Sequence, residues 1–110
     1  MILYFSGTGN SAYVARQLGD LLQEETIDVF ARIRDKDTTA LQSSRPWIVV
    51  CPTYAWRIPR ILHQWLENTA LEGCHSIYFV MTCGDNIGNA EKTLKTLCIS
   101  KHMDFCGCYP

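Results

Sequence analysis

The chain has 110 residues, enough for one domain around one core. Hydrophobic residues make up 47% and charged residues 19%, which excludes a disordered chain, and no apolar run reaches the roughly 20 residues of a membrane-spanning helix. The net charge of −1 argues against nucleic acid and against an anionic membrane surface as partners.

The chain opens on an apolar run, Ile2-Leu3-Tyr4-Phe5, predicted as a buried strand over residues 1–5. Ser6-Gly7-Thr8-Gly9-Asn10-Ser11 follows without a break, and a helix is predicted from about residue 10 to residue 22. Its apolar stripe is Val14, Leu18, Leu21 and Leu22. A helix start presents free N–H groups and a partial positive charge, so the turn suits a phosphate. Three hydroxyls (Ser6, Thr8, Ser11) and the Asn10 amide crowd it, with no Lys or Arg among them. Neutral donors around a helix dipole suit one terminal phosphate enclosed on all sides.

A short second strand is predicted near residues 27–30 and a weak helix over 38–42. A third strand, residues 46–51, contains Trp47-Ile48-Val49-Val50 and reads as buried on both faces. A helix is predicted from Pro59, a good first-turn residue, with Ile58, Ile61, Leu62, Trp65 and Leu66 on one stripe. The fourth strand covers residues 76–82, and a fourth helix begins near Asn89. A fifth strand starts near Phe105. Strand-to-helix units in this sequence predict an α/β fold with a parallel sheet, helices on both faces and right-handed crossovers.

Six cysteines are present, Cys51, Cys74, Cys83, Cys98, Cys106 and Cys108, and none forms a C-x-x-C pair. That argues against zinc or an iron–sulfur cluster held by this chain, and no metal site is expected. Cys51 and Cys83 fall at strand ends and read as small buried hydrophobes. Cys106-Gly107-Cys108 reads as part of the last strand, ahead of a redox pair. The N-terminus enters a strand without a basic region, so reduced thiols and a cytoplasmic location are expected. His63, His75 and His102 show no ligand spacing, and no Ser-His-Asp group or carboxylate pair points to hydrolysis, so no catalytic residue is assigned.

Two other phosphate loops match less well. The Walker pattern needs a Gly-Lys-Ser/Thr end, absent here. The dinucleotide pattern G-x-G-x-x-G/A is met by Gly7, Gly9 and Ala12. It expects an acidic residue about 20 positions on, where this chain has Ala31, Arg32, Ile33 and Arg34. An Arg there suits a 2′-phosphate, which keeps that alternative open.

Ser6, Thr8, Gly9, Asn10 and Ser11 fill, in order, the places of the phosphate loop of the flavodoxin family, which this segment resembles. The resemblance implies a flavodoxin-like three-layer sandwich with strand order 2-1-3-4-5 and a non-covalently bound flavin mononucleotide, FMN. It places the ligand at the carboxyl ends of strands one and three. It also implies that the chain spans about three quarters of the fold and stops early in strand five, as a C-terminally truncated domain over residues 1–110. A minimal variant whose open edge is covered by a partner or a second copy is the other expectation.

The loops after strands three and four should then face the flavin ring. The first is Pro52-Thr53-Tyr54-Ala55-Trp56-Arg57, whose two aromatics offer a stacking surface worth about 1 kcal/mol beyond area. By resemblance, Trp56 or Tyr54 stacks and Thr53 to Arg57 line the ring. Arg57 stands where related sequences often have glycine, and a cation there would favour the anionic reduced flavin. The second loop is Thr82-Cys83-Gly84-Asp85, where Gly84 and Asp85 match the family's frequent Gly-Asp and face the pyrimidine edge. Ile2 to Ser11, Cys51 to Trp56 and Thr82-Cys83-Gly84 are closest to the flavodoxin half of bacterial flavodoxin–ferredoxin fusions. The implied function is electron transfer with a ferredoxin-like or reductase partner. An FMN-dependent NAD(P)H:quinone reductase and a flavin-free scaffold are the alternatives.

Overall fold

A parallel sheet forms because short apolar runs, unable to bury both faces alone, are each returned by a helix to the same starting edge. The computed structural model describes residues 1–6, 9–52, 58–81 and 90–109. β1 (Ile2–Tyr4) pairs in parallel with β2 (Thr26–Asp28) on one side. On its other side is β4 (Trp47–Cys51), with Leu3 opposite Val49 and Tyr4 opposite Val50. Next come β6 (Ser76–Met81) and β7 (Asp104–Tyr109), giving the order β2-β1-β4-β6-β7. Counted within this sheet, that is the predicted 2-1-3-4-5 order.

Helices α1 (Asn10–Leu22), α2 (Val29–Arg34), α3 (Arg60–Asn68) and α4 (Ala90–Ser100) divide unequally between the two faces. One face is carried by Leu3, Val49, Ile77 and Phe79, packed against Val29 of α2, Leu62, Trp65 and Leu66 of α3, and Leu94 and Leu97 of α4. Leu62, Leu66 and Phe79 are almost fully buried, each contributing on the order of 2 kcal/mol from transfer out of water. On the opposite face Ile2 and Val50 pack with Ala15 of α1, joined by Val14, Leu18, Ile48 and Val80. Only α1 among the described helices covers that side. An open cleft of about 280 Å³ remains there, lined by Leu22, Pro46, Ile48 and Tyr78 with Glu24 and Arg45 at its rim.

Local chemistry moved several predicted boundaries. The second strand ends at Asp28, because the Asp28 carboxylate accepts the Ala31 N–H at 3.1 Å and caps a helix. Val29 and Phe30, read as strand residues, therefore belong to α2. The helix predicted over 38–42 is absent, and β3 (Leu41–Ser43) lies there instead. It pairs in parallel with β5 (Leu71–Gly73) as a separate two-stranded sheet. Pro59 is the cap before α3 and its carbonyl accepts from His63 N–H at 3.0 Å, so the helix begins one residue later than predicted. β7 begins one residue earlier than predicted, at Asp104, and keeps register with β6 through a shift between Ile77 and Tyr78. None of the described helices is long and apolar enough to cross a membrane.

Candidate functional site

The carboxyl ends of β1, β4 and β6 are neighbours in the sheet, with Tyr4 beside Val50 and Cys51 beside Met81. The three loops singled out in the sequence therefore leave from one edge. β1 is also where the chain order reverses, with β2 to one side and β4 to the other. In open α/β sheets that switch point leaves a crevice for a ligand.

At this point β1 ends at Tyr4, and α1 begins at Asn10. The Phe5 N–H still donates to Val50 O at 2.9 Å, and Phe5 is buried, with its ring 5.6 Å from that of Phe30. Ser6 is half-buried and its Oγ accepts the Gly9 N–H at 2.8 Å. Gly9 has φ 98° and ψ −15°, a left-handed conformation that disfavours every residue with a Cβ. It is the residue before α1, and its carbonyl accepts the Tyr13 N–H at 3.0 Å, which starts the helix. Among the described residues, a Cβ at Gly9 would meet nothing within 4 Å. Asn10 opens α1, and Ser11 in its first turn is 2% exposed. No acidic residue stands in that first turn to compete for an anion.

β4 delivers the second loop from a rigid base. Cys51 is fully buried and its thiol contacts Met81 Sδ at 3.7 Å, so the ends of β4 and β6 are packed together. Burial, with Cys108 nearby, pushes the Cys51 thiol far above the ordinary cysteine range, which fits the small-hydrophobe role. Pro52 is buried, and so are Ile58 and Pro59 where the chain re-enters α3. Sequence reading missed Met81 as the partner of Cys51; only strand register places the two side by side.

Of the predicted site residues, the structure brings Ser6, Gly9, Asn10, Ser11 and Pro52 to the same sheet edge. Gly7, Thr8, Thr53, Tyr54, Ala55, Trp56, Arg57, Thr82, Cys83, Gly84 and Asp85 lie outside the described residues. Cys51, Cys74, Cys98, Cys106 and Cys108 are free thiols, and Cys106 and Cys108 sit in β7.

The fold and the edge together define a doubly wound α/β protein whose strand order reverses at β1, the switch point where such sheets hold a ligand. A family profile described as Flavodoxin matches residues 2–98, and the chain belongs to the flavodoxin family. Two solved structures are similar, each of a protein provisionally called a flavoprotein. The one from Bacteroides eggerthii DSM 20697 is 16% identical with a TM-score of 0.62, covering 97% of this chain and 84% of that one. The one from Bacteroides uniformis ATCC 8492 is 16% identical with a TM-score of 0.67, covering 99% and 86%. At that identity they establish the flavodoxin-like fold. No curated protein matches the chain.

Proposed function

We propose that the chain binds one FMN without a covalent link and passes electrons to a redox protein partner, ferredoxin-like or a reductase, in the cytoplasm. The observation that carries this reading is the Ser6–Gly9 turn at the start of α1, seated at the switch point of a flavodoxin-family sheet. The residues present fit a phosphate: no described atom within 4 Å of a Cβ at Gly9, a helix start, and hydroxyl-bearing residues without a carboxylate. In this reading residues 6–11 hold the phosphate by neutral donors. Pro52 and residues 53–57 take one side of the ring, with Tyr54 or Trp56 stacked on it. Residues 82–85 meet its pyrimidine edge. Bound flavin supplies the redox chemistry, while the protein holds the ring, limits water and sets the local charge.

The test is titration of the purified chain with FMN and with riboflavin, which lacks the phosphate. FMN should bind at least about tenfold more tightly, the weight of one hydrogen bond to a charged group. Thr8→Ala and Ser11→Ala should weaken FMN and leave riboflavin unchanged. Equal affinity for the two flavins overturns the phosphate assignment, and no uptake of either overturns the cofactor.

A further inference from the structure

In a parallel sheet the helix after each strand begins at the edge where that strand ends. The first turns of α1, α2 and α3 therefore stand around the switch point. Each carries one large, mostly apolar side chain open to solvent: Tyr13 in α1 is 61% exposed, Phe30 in α2 44% and Ile61 in α3 46%. α1 covers one face of the sheet, while α2 and α3 cover the other. Exposed apolar side chains scattered singly need no explanation, but three set on both sides of one sheet edge fit a protein partner better than a small molecule.

Charge at this edge is one-sided. No acidic residue stands in the first turn of α1, α2 or α3, although the helix dipole favours one there. Arg60 instead opens α3, where the dipole works against a cation. Arg16 lies one turn on from Tyr13, beside it on α1, and Lys92 is in the first turn of α4. All three cations are exposed, and among the described residues none has an ion-pair partner. Two carboxylates nearby are engaged: Asp28 caps α2 through the Ala31 N–H, and Glu91 pairs with Lys95 at 3.5 Å. The opposite edge inverts the pattern. Asp20, Glu24, Glu25 and Asp104 belong to it, and its cations are occupied, Arg45 by Glu24 at 3.4 Å and Lys101 by the Thr69 carbonyl. An arginine that works against its own helix and meets no carboxylate of the chain is set for something outside it.

We propose that this rim is the docking surface for an acidic redox protein, whose carboxylates meet Arg16, Arg60 and Lys92 and whose apolar surface covers Tyr13, Phe30 and Ile61. The proposal rests on the flavin reading for the purpose of the contact, and it narrows the partner to the acidic, ferredoxin-like class. The net charge of −1 does not oppose it, because the field an approaching partner meets is that of the nearest edge. Attraction between opposite charges speeds the encounter and fixes its orientation, while the apolar contacts hold the pair.

The experiment is titration of the isotope-labelled chain, with and without FMN, followed by amide NMR shifts. The probes are an acidic two-iron ferredoxin and a basic c-type cytochrome. Ferredoxin should shift amides in the first turns of α1, α2 and α3, and its affinity should fall at least about fivefold from low to physiological salt. Arg60→Gln and Ile61→Ser should each weaken it at least about threefold. Arg45→Gln, the same loss of charge at the other edge, should leave it unchanged. Tighter binding of the cytochrome, or an equal loss in Arg45→Gln, overturns the proposal. Ferredoxin that shifts no rim amide overturns it whether or not FMN binds. Ferredoxin that shifts the rim of a chain unable to take up FMN overturns the flavin reading alone.

Discussion

The indole Nε1–H of Trp65 donates to the backbone carbonyl of Asp37 at 2.9 Å, tying the middle of α3 to the turn after α2. The same turn is braced by Asp37 itself. Its carboxylate accepts the Thr39 N–H at 3.0 Å and pairs with Arg32 at 3.2 Å. The contacts with Thr39, and the Arg32 charge after them, hold the Asp37 carboxyl below the usual range. Trp65→Phe keeps most of the buried ring and removes the donor. It should cost about 1–2 kcal/mol, the weight of a partly buried carbonyl left without its partner. The urea midpoint should fall with the slope unchanged.

Gly9→Ala separates conformation from space. Among the described residues a methyl group at Gly9 meets nothing within 4 Å, so the penalty expected from them is that of φ 98°. The variant should lose about 1–2 kcal/mol of stability and bind FMN more weakly, as the turn relaxes away from its left-handed form. Thermal unfolding and flavin titration on the same sample check both halves.

Gly73→Ala should be more severe. Gly73 has φ 96°, and its missing Cβ points at the backbone carbonyl of Ser43, the residue it faces across the β3–β5 pair. Backbone cannot move aside as a flexible side chain does. A loss of at least about 2 kcal/mol is expected, seen as a lower urea midpoint, with little change for Gly73→D-Ala made by chemical synthesis.

Stability should fall at alkaline pH. Burial, its first cause, raises the Cys98 thiol to about 11 from 9.0, with Cys106 adding. Burial also raises Cys108 to about 11 from 9.0, with Glu91 adding. Cys51 moves in the same direction. A raised thiol means that the folded state keeps a proton the unfolded chain releases. The stabilising term is complete below the unfolded value of 9.0 and is lost as pH climbs through about 11. Urea midpoints across that range should decline, and Cys98→Ala with Cys108→Ala should flatten the decline.

The main sheet was legible because its strands are apolar runs separated by helical stripes, as Trp47-Ile48-Val49-Val50 and Ile61-Leu62-Trp65-Leu66 show. What escaped reading depends on distant partners. Leu41 becomes a strand residue by lying opposite Leu71, and nothing local around Leu41 announces it. Val29 and Phe30 look like strand, and only the Asp28 cap turns them into helix. The passage from strand to helix around Ser6 and Gly9 was legible because a glycine beside a helix start has few conformations open to it. The contact of Cys51 with Met81 was not, since it needs the register of two strands 30 residues apart.

The uneven helix cover sets how the sheet breathes. β7 has one strand neighbour, and its Tyr109 is 53% exposed, whereas β1 is flanked by strands on both sides and roofed by α1. Amide protons along β7 should therefore trade with deuterium through small local openings, long before those of β1 and β4, which are freed only when the whole chain comes apart.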